Sequence, residues 1–240
     1  MELSKFLTIV IPCKNEKDII SKTLDLLNYQ KTINGVKVIV CDSSDDDITT
    51  PSLINRVEHE RGRDKFDLYL TEGGLPSKAR NNGAILVKTP YILFMDADMF
   101  ILNPDLLFTT VNLIITNQQD LVTCKIRSSE NGYNYVFRFF DVIQRVFKPI
   151  TPFCLGGFML VRKERFDEIG GFDEDAKVAE DYLLSKEIRP NKFEIADITI
   201  FTTPRRFKSK GLWYMLKLMI GSFFNNKNKK FFQNDKDYWK

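Results

Sequence analysis

The chain has 240 residues, 43% hydrophobic and 12% aromatic, ample for the packed core of one large α/β domain, with or without a small appendage. No stretch reaches the roughly 18–20 apolar residues needed to cross a bilayer, and a single His59, set between Glu58 and Glu60, excludes chemistry that needs several histidines. The net charge of +3 is unevenly spread: Arg205 to Lys240 holds ten Lys/Arg against two Asp/Glu, so the first 204 residues are net negative. A basic end on an acidic body suits an anionic partner surface.

Cys13, Cys41, Cys124 and Cys154 show no Cys-x-x-Cys spacing, and the first three lie in or beside apolar runs. They read as reduced core residues of a cytoplasmic protein. The run Phe6 to Pro12 is too short for a signal peptide and lacks a small-residue cleavage site.

In chain order, Phe6 to Pro12 predicts a buried strand, and Asn15 then caps a helix carrying Ile19, Ile20, Leu24 and Leu27 at helical spacing. A second strand, Val36 to Cys41, ends at Asp42-Ser43-Ser44 and an acidic turn. A third, Phe66 to Leu70, leads through Gly73-Gly74-Leu75-Pro76 to a helix capped by Ser77. A fourth, Tyr91 to Met95, is apolar without alternation and runs straight into Asp96-Ala97-Asp98, which reads as a strand buried on both faces. Asn103-Pro104 opens another helix, to about Asn117, and Leu121 to Ile126 is a fifth strand. A polar loop, Ser128 to Gly132, leads to a helix over Tyr135 to Phe147 with Val136, Phe139, Phe140, Ile143 and Phe147 on its core side. Gly156-Gly157 enters a strand ending near Val161. Glu180-Asp181 opens a helix continuing to Ile188, and Phe193 to Phe201 alternates as a late or edge strand. Alternating strands and helices predict a Rossmann-like, mostly parallel central sheet flanked by helices.

Asp-x-Asp occurs four times, at Asp45/Asp47, Asp96/Asp98, Asp173/Asp175 and Asp235/Asp237. Only Asp96/Asp98 follows a buried strand. On an extended backbone the two point to one side, where their repulsion favours a divalent cation with positions open to phosphate oxygens. Arg80, in the first turn of its helix, pairs a guanidinium with free backbone N–H groups and suits a diphosphate, or is a surface arginine. Glu180 and Asp181 sit at a helix start, where first-turn acids are favoured by the helix dipole, a placement that does not exclude a further role.

Together these pieces resemble the family 2 glycosyltransferases of GT-A fold. The match is carried by Ile9-Val10-Ile11-Pro12 with Asn15-Glu16, Asp42-Ser43-Ser44, Ala79-Arg80-Asn81-x-Gly83, Asp96-x-Asp98, Gly156-Gly157-Phe158 and Glu180-Asp181. The resemblance implies a metal-dependent, inverting transfer of one sugar from a nucleotide sugar, UDP-linked by expectation, to an acceptor hydroxyl on a lipid-linked or cell-surface glycan. It implies that Pro12, Asn15, Glu16, Asp42, Arg80 and Asp96 bind the nucleotide, and that Asp98 with Asp96 holds Mn²⁺ or Mg²⁺. It gives Gly156, Gly157 and Arg206 to the sugars, and makes Asp181 the base with Glu180 supporting it. The Gln-x-x-Arg-Trp motif of processive polymerases is absent from Thr203-Pro204-Arg205-Arg206-Phe207, which favours single-sugar addition.

The expected division is a catalytic domain over 1–207 and a helical, apolar and basic tail over 208–240. In that tail Leu212, Met215, Leu216, Met219, Ile220 and Phe223 fall at helical spacing, with Trp213 and Tyr214 beside them. Two placements stay open: in the headgroup region at the inner face of a membrane, or packed on the domain. Nucleic acid is not expected, because the basic residues cluster with an apolar helix. Two rival functions remain: a sugar nucleotidyltransferase, which usually carries a Gly- and Arg-rich loop where Cys13 to Glu16 stand, and an inactive, membrane-docked binding protein.

Overall fold

The computed structural model describes residues 1–60 and 62–235; Asp237 of the fourth Asp-x-Asp pair and the last of the basic tail lie outside them. In chain order the elements are β1 (Leu7–Cys13), α1 (Lys17–Asn28), β2 (Lys37–Asp42), α2 (Thr49–Glu58), β3 (Asp67–Glu72), α3 (Pro76–Ile85), β4 (Tyr91–Met95), β5 (Met99–Phe100) and α4 (Leu106–Thr116). Then come β6 (Leu121–Ser128), α5 (Asn134–Phe147), β7 (Phe158–Arg162), α6 (Lys163–Ile169), α7 (Glu180–Ser185), β8 (Phe193–Thr202), α8 (Arg205–Phe224) and α9 (Lys229–Gln233).

Among the described residues the strands form one sheet in the order β3-β2-β1-β4-β7-β6-β8-β5. β1, β2, β3 and β4 run parallel, as do β6 and β8; β7 is antiparallel to both β4 and β6, and β5 to β8. Apolar runs without alternation occupy the middle because both faces are covered. Ile9, Ile11, Leu93 and Met95 pack with Ile20 and Leu24 of α1 and Val111 of α4 on one side. Val10, Ile92 and Phe94 pack with Ala79 of α3 and Phe166 of α6 on the other. A third cluster joins Phe153 and Tyr182 to Phe232 of α9 and Met219 and Phe223 of α8.

The segment Ala79 to Gly83 shows why its residue types are needed. Ala79 is fully buried, and a Cβ on Gly83 would lie 2.4 Å from Val10 Cγ1 and 2.8 Å from Cys41 Sγ, so α3 sits on the sheet at a distance that admits no side chain there. Between them, Asn81 donates to the Phe172 carbonyl at 2.9 Å and accepts from the Phe172 N–H at 3.0 Å, tying α3 to the loop before α7.

Several local expectations are corrected. Asn15 does not cap α1: with φ 54° it accepts from the N–H groups of Asp45 and Asp46 at 2.9 and 3.1 Å, pinning the loop after β1 to the loop after β2. Ser77 lies inside α3, which starts at Pro76, and the helix after Asn103-Pro104 starts at Leu106. The turn signals at 43–47 are followed by α2, and α7 stops at Ser185. On α5, Phe137 is buried in place of Phe139 and Phe147, which are exposed. All four cysteines are free and buried. The tail helix α8 is bent at Gly211, and Phe223 meets the rings of Phe147, Phe153 and Tyr182 at 5.0–5.3 Å.

Candidate active site

A cleft of about 870 Å³ opens at the carboxyl ends of β1 and β4 and is bounded by α5, α7 and α8. This end of an open α/β sheet is where ligands bind, since strands deliver side chains there and loops are free to shape the walls. Of the site residues expected from the sequence, Pro12, Asn15, Glu16, Arg80, Asp96, Asp98, Gly156, Gly157, Glu180, Asp181 and Arg206 line it. Asp42 does not. Its carboxylate accepts from the Ser44 N–H at 3.1 Å, the Ser44 hydroxyl at 2.6 Å and the Thr50 hydroxyl at 2.5 Å, and Ser43 takes its place on the wall.

Arg80 lies at the centre of the floor. It is 3% exposed, and it donates from Nη2 to Asp96 at 2.6 Å and from Nη1 to Glu180 at 2.7 Å. Burial alone would lower its pKa, but the two carboxylates outweigh that and hold it charged. Its plane lies over the Phe172 ring, 5.3 Å from the centroid, and its buried Nε has no hydrogen-bond partner. One side chain thus bridges the carboxylate at the end of β4 and the carboxylate that opens α7. Sequence spacing gave no hint of this, because the partners are 16 and 100 residues away.

Asp98 accepts from the Thr203 hydroxyl at 2.6 Å, and burial, reinforced by the charge of Asp96, pushes its carboxyl up. Glu16 is also raised by burial, against the opposing Arg205, whose Nη2 lies 2.5 Å away. Among the described residues no three His, Cys, Asp or Glu side chains form a protein-only metal cage. Magnesium and manganese fit this site nonetheless: such ions are commonly bound by one or two carboxylates plus substrate phosphates, and a buried carboxylate crowded by a second one is stabilised by a cation.

Ala179, which precedes α7, has a left-handed backbone (φ 54°, ψ 37°), an uncommon conformation for a residue with a side chain. It turns Glu180 and Asp181 into the cleft. Asp181 accepts from the Tyr182 N–H at 2.8 Å. Burial first, and then the neighbouring Glu180, push its carboxyl up to about 7, opposed by the Tyr182 N–H, Arg80 and Arg206. That value suits a group that takes a proton near neutral pH. Burial raises the thiols of Cys13 and Cys154 on the cleft wall as well, so neither is a thiolate nucleophile. The far end of the cleft is apolar, lined by Phe137, Phe140, Phe153, Met215, Met219 and Phe223. Thr203 and these apolar residues were missed as a site: a lone Thr and helical Phe and Met carry no sequence signal of lining a cleft.

Gly156 is required by a close approach. Its φ is 71°, and a Cβ there would lie 2.9 Å from Asp181 Oδ2. Gly156→Ala is expected to displace that carboxylate and to cost about 1–2 kcal/mol of stability through backbone strain, which denaturant unfolding measures.

Residues 8–170 match the family described as Glycosyl transferase family 2. Over 124 residues, 50% of this chain, the sequence is 31% identical to the poly(ribitol-phosphate) beta-glucosyltransferase of Bacillus spizizenii, and the match covers 19% of that protein. The fold resembles that of the mannosyltransferase PcManGT from Pyrobaculum calidifontis, in complex with GDP-Man and Mn²⁺, with TM-score 0.67, 20% identity and coverage of 82% of this chain and 56% of that one. It resembles TarS 1-349 of S. aureus, in complex with UDP-GlcNAc, with TM-score 0.64, 23% identity and coverage of 82% and 58%. The chain therefore spans less than two thirds of each of these three proteins, and at these identities the two structural likenesses are of fold.

Proposed function

Because the chain belongs to glycosyl transferase family 2 and has the GT-A fold, we propose that this glycosyltransferase moves one sugar from a uridine diphosphate sugar to an acceptor hydroxyl, with inversion. The observation that carries this reading is the Arg80 bridge, which joins the carboxylates expected to meet the donor to the pair expected to meet the acceptor.

Asp181 takes the proton of the acceptor hydroxyl as its oxygen attacks the anomeric carbon. The bond from that carbon to the diphosphate oxygen breaks, and its electron pair leaves with the nucleotide. With Asp96 and Glu180 paired to Arg80 and Asp98 assigned to the cation, Asp181 is left as the base, which suits a single displacement. Asp98, supported by Asp96, would hold Mn²⁺ or Mg²⁺, which neutralises the charge on the departing diphosphate. Pro12, Asn15 and Glu16 form the nucleotide side, and Arg206 and the backbone at Gly156 and Gly157 the sugar side. Arg80, expected to contact the diphosphate, is given the task of orienting Asp96 and Glu180. The apolar end of the cleft suits an acceptor with an apolar portion, which favours a lipid-linked glycan. Residues 1–207 would serve as the catalytic unit, with 208–240 as an appended tail.

Incubating the full chain with individual nucleotide sugars and Mn²⁺ tests the reading. Release of UDP from one UDP-sugar, increased by an acceptor, supports it. Formation of a nucleotide sugar from sugar phosphate and nucleoside triphosphate would mean a nucleotidyltransferase, and nucleotide binding without turnover would mean an inactive binding protein.

A further inference from the structure

We propose that the outer face of α5, with the adjoining α8, docks on the anionic headgroup region of a lipid bilayer. On α5 and the turn after it, Tyr135, Phe139, Val142, Val146 and Ile150 recur at spacings of three and four, so they form one stripe. All five are exposed, Val142 and Val146 by 59% and 62%. The opposite face of α5 is already buried through Val136, Phe137 and Phe140. A helix apolar on both faces is expected between two apolar layers, and here the chain supplies one of them.

The neighbouring helix repeats the pattern. Phe137 touches Phe207 at 5.2 Å and Phe147 touches Phe223 at 5.0 Å between ring centroids, so α5 and α8 lie side by side. On α8, Trp213 and Phe224 are 77% and 87% exposed, with Ile220 and Lys217 on the same helical side. Trp favours the boundary between water and acyl chains.

Charge selects the occupant. Past Arg205 and Arg206, which line the cleft, and Lys208, which pairs with Glu130, the chain up to Gln233 carries Lys210, Lys217, Lys227, Lys229 and Lys230 and no Asp/Glu. On α5, Arg138 and Arg145 flank the stripe, while the one carboxylate, Asp141, is buried and paired with Arg127 and Arg145 at 3.1 and 3.3 Å. A second copy of the chain on this face would set basic residues against basic residues across a two-fold axis. Anionic headgroups complement it. No helix among the described residues is long and apolar enough to cross a membrane, so the mode is lying on the surface. The inner sides of α5 and α8 line the apolar end of the cleft, so docking would bring that end beside the lipid.

The full chain is sedimented with phosphatidylcholine vesicles with and without phosphatidylglycerol, alongside the double variant Val142→Glu, Val146→Glu. The expected result is pelleting with phosphatidylglycerol vesicles only, weakened at least about tenfold in the variant, whose UDP-sugar hydrolysis in solution stays unchanged. Wild type left in the supernatant, or a variant that pellets as wild type does, would overturn the proposal. So would a wild-type dimer in analytical ultracentrifugation that the variant dissociates, since the face would then be a protein interface. UDP-sugar hydrolysis is read separately, so failure here leaves the enzymatic reading standing.

Discussion

Asp181→Asn is expected to lower sugar transfer by about 10²–10⁴ while the protein folds and binds UDP as before. The change is isosteric, and the amide oxygen can still accept from the Tyr182 N–H at the wild-type position. What is lost is the proton acceptor. The pH dependence gives an independent check. Burial, and then Glu180, push the Asp181 carboxyl up to about 7 against the Tyr182 N–H, Arg80 and Arg206. Wild-type kcat/KM, which reports the free enzyme, should therefore rise with pH through about 7 and then level. Stability should move the opposite way. A folded-state value above the unfolded one means that Asp181 favours the fold at low pH, and that this contribution is lost as pH rises through about 7. Thermal melts at pH 8 should show Asp181→Asn at least as stable as wild type, and the advantage should vanish toward pH 4. A variant that keeps full transfer would remove Asp181 from the mechanism.

Arg80→Ala is expected to cost about 3–5 kcal/mol of folding stability, because it leaves Glu180, and with it the partly buried Asp96, without the cation that faces both. Denaturant unfolding measures the loss. Adding Glu180→Gln should restore part of it, since a neutral amide is cheaper to bury than an unpaired carboxylate. A merely structural arginine would not change the pH profile. Arg80 opposes the upward shift of Asp181, so Arg80→Lys, which keeps a charge but loses the two-pronged geometry, should move the kcat/KM midpoint upward as well as lower kcat. An Arg80→Ala protein as stable as wild type would show that the bridge does not hold the floor of the cleft together.

Much of the fold was legible because burial on both faces leaves a plain signature. β1, β2 and β4 are continuous apolar runs, and each was readable with its loop of polar residues after it. The position of β7 was not. Gly156 to Val161 reads as a strand, but nothing in it says that β7 enters antiparallel between β4 and β6. β5 has two residues and exists only through pairing with β8. The capping errors have one cause: Asn15 and Ser77 are good caps in isolation, but Asn15 is used to fasten two loops 30 residues apart, and Pro76 already starts α3. For the site, residue types were legible and contacts were not. Asp96, Asp98, Glu180 and Asp181 were picked out from strand and helix ends. The Thr203 to Asp98 bond, between residues 105 apart, and the Arg80 bridge come from how the sheet brings distant segments together.

The proposed transfer needs a cation held at Asp98 and shared with the diphosphate. Calorimetric titration of UDP into the full chain, with and without Mn²⁺, tests this most directly when wild type and Asp98→Ala are compared. Mn²⁺ is expected to tighten UDP binding at least about tenfold in wild type and to have no such effect in Asp98→Ala. Equal tightening in both proteins, or none in wild type, would contradict it.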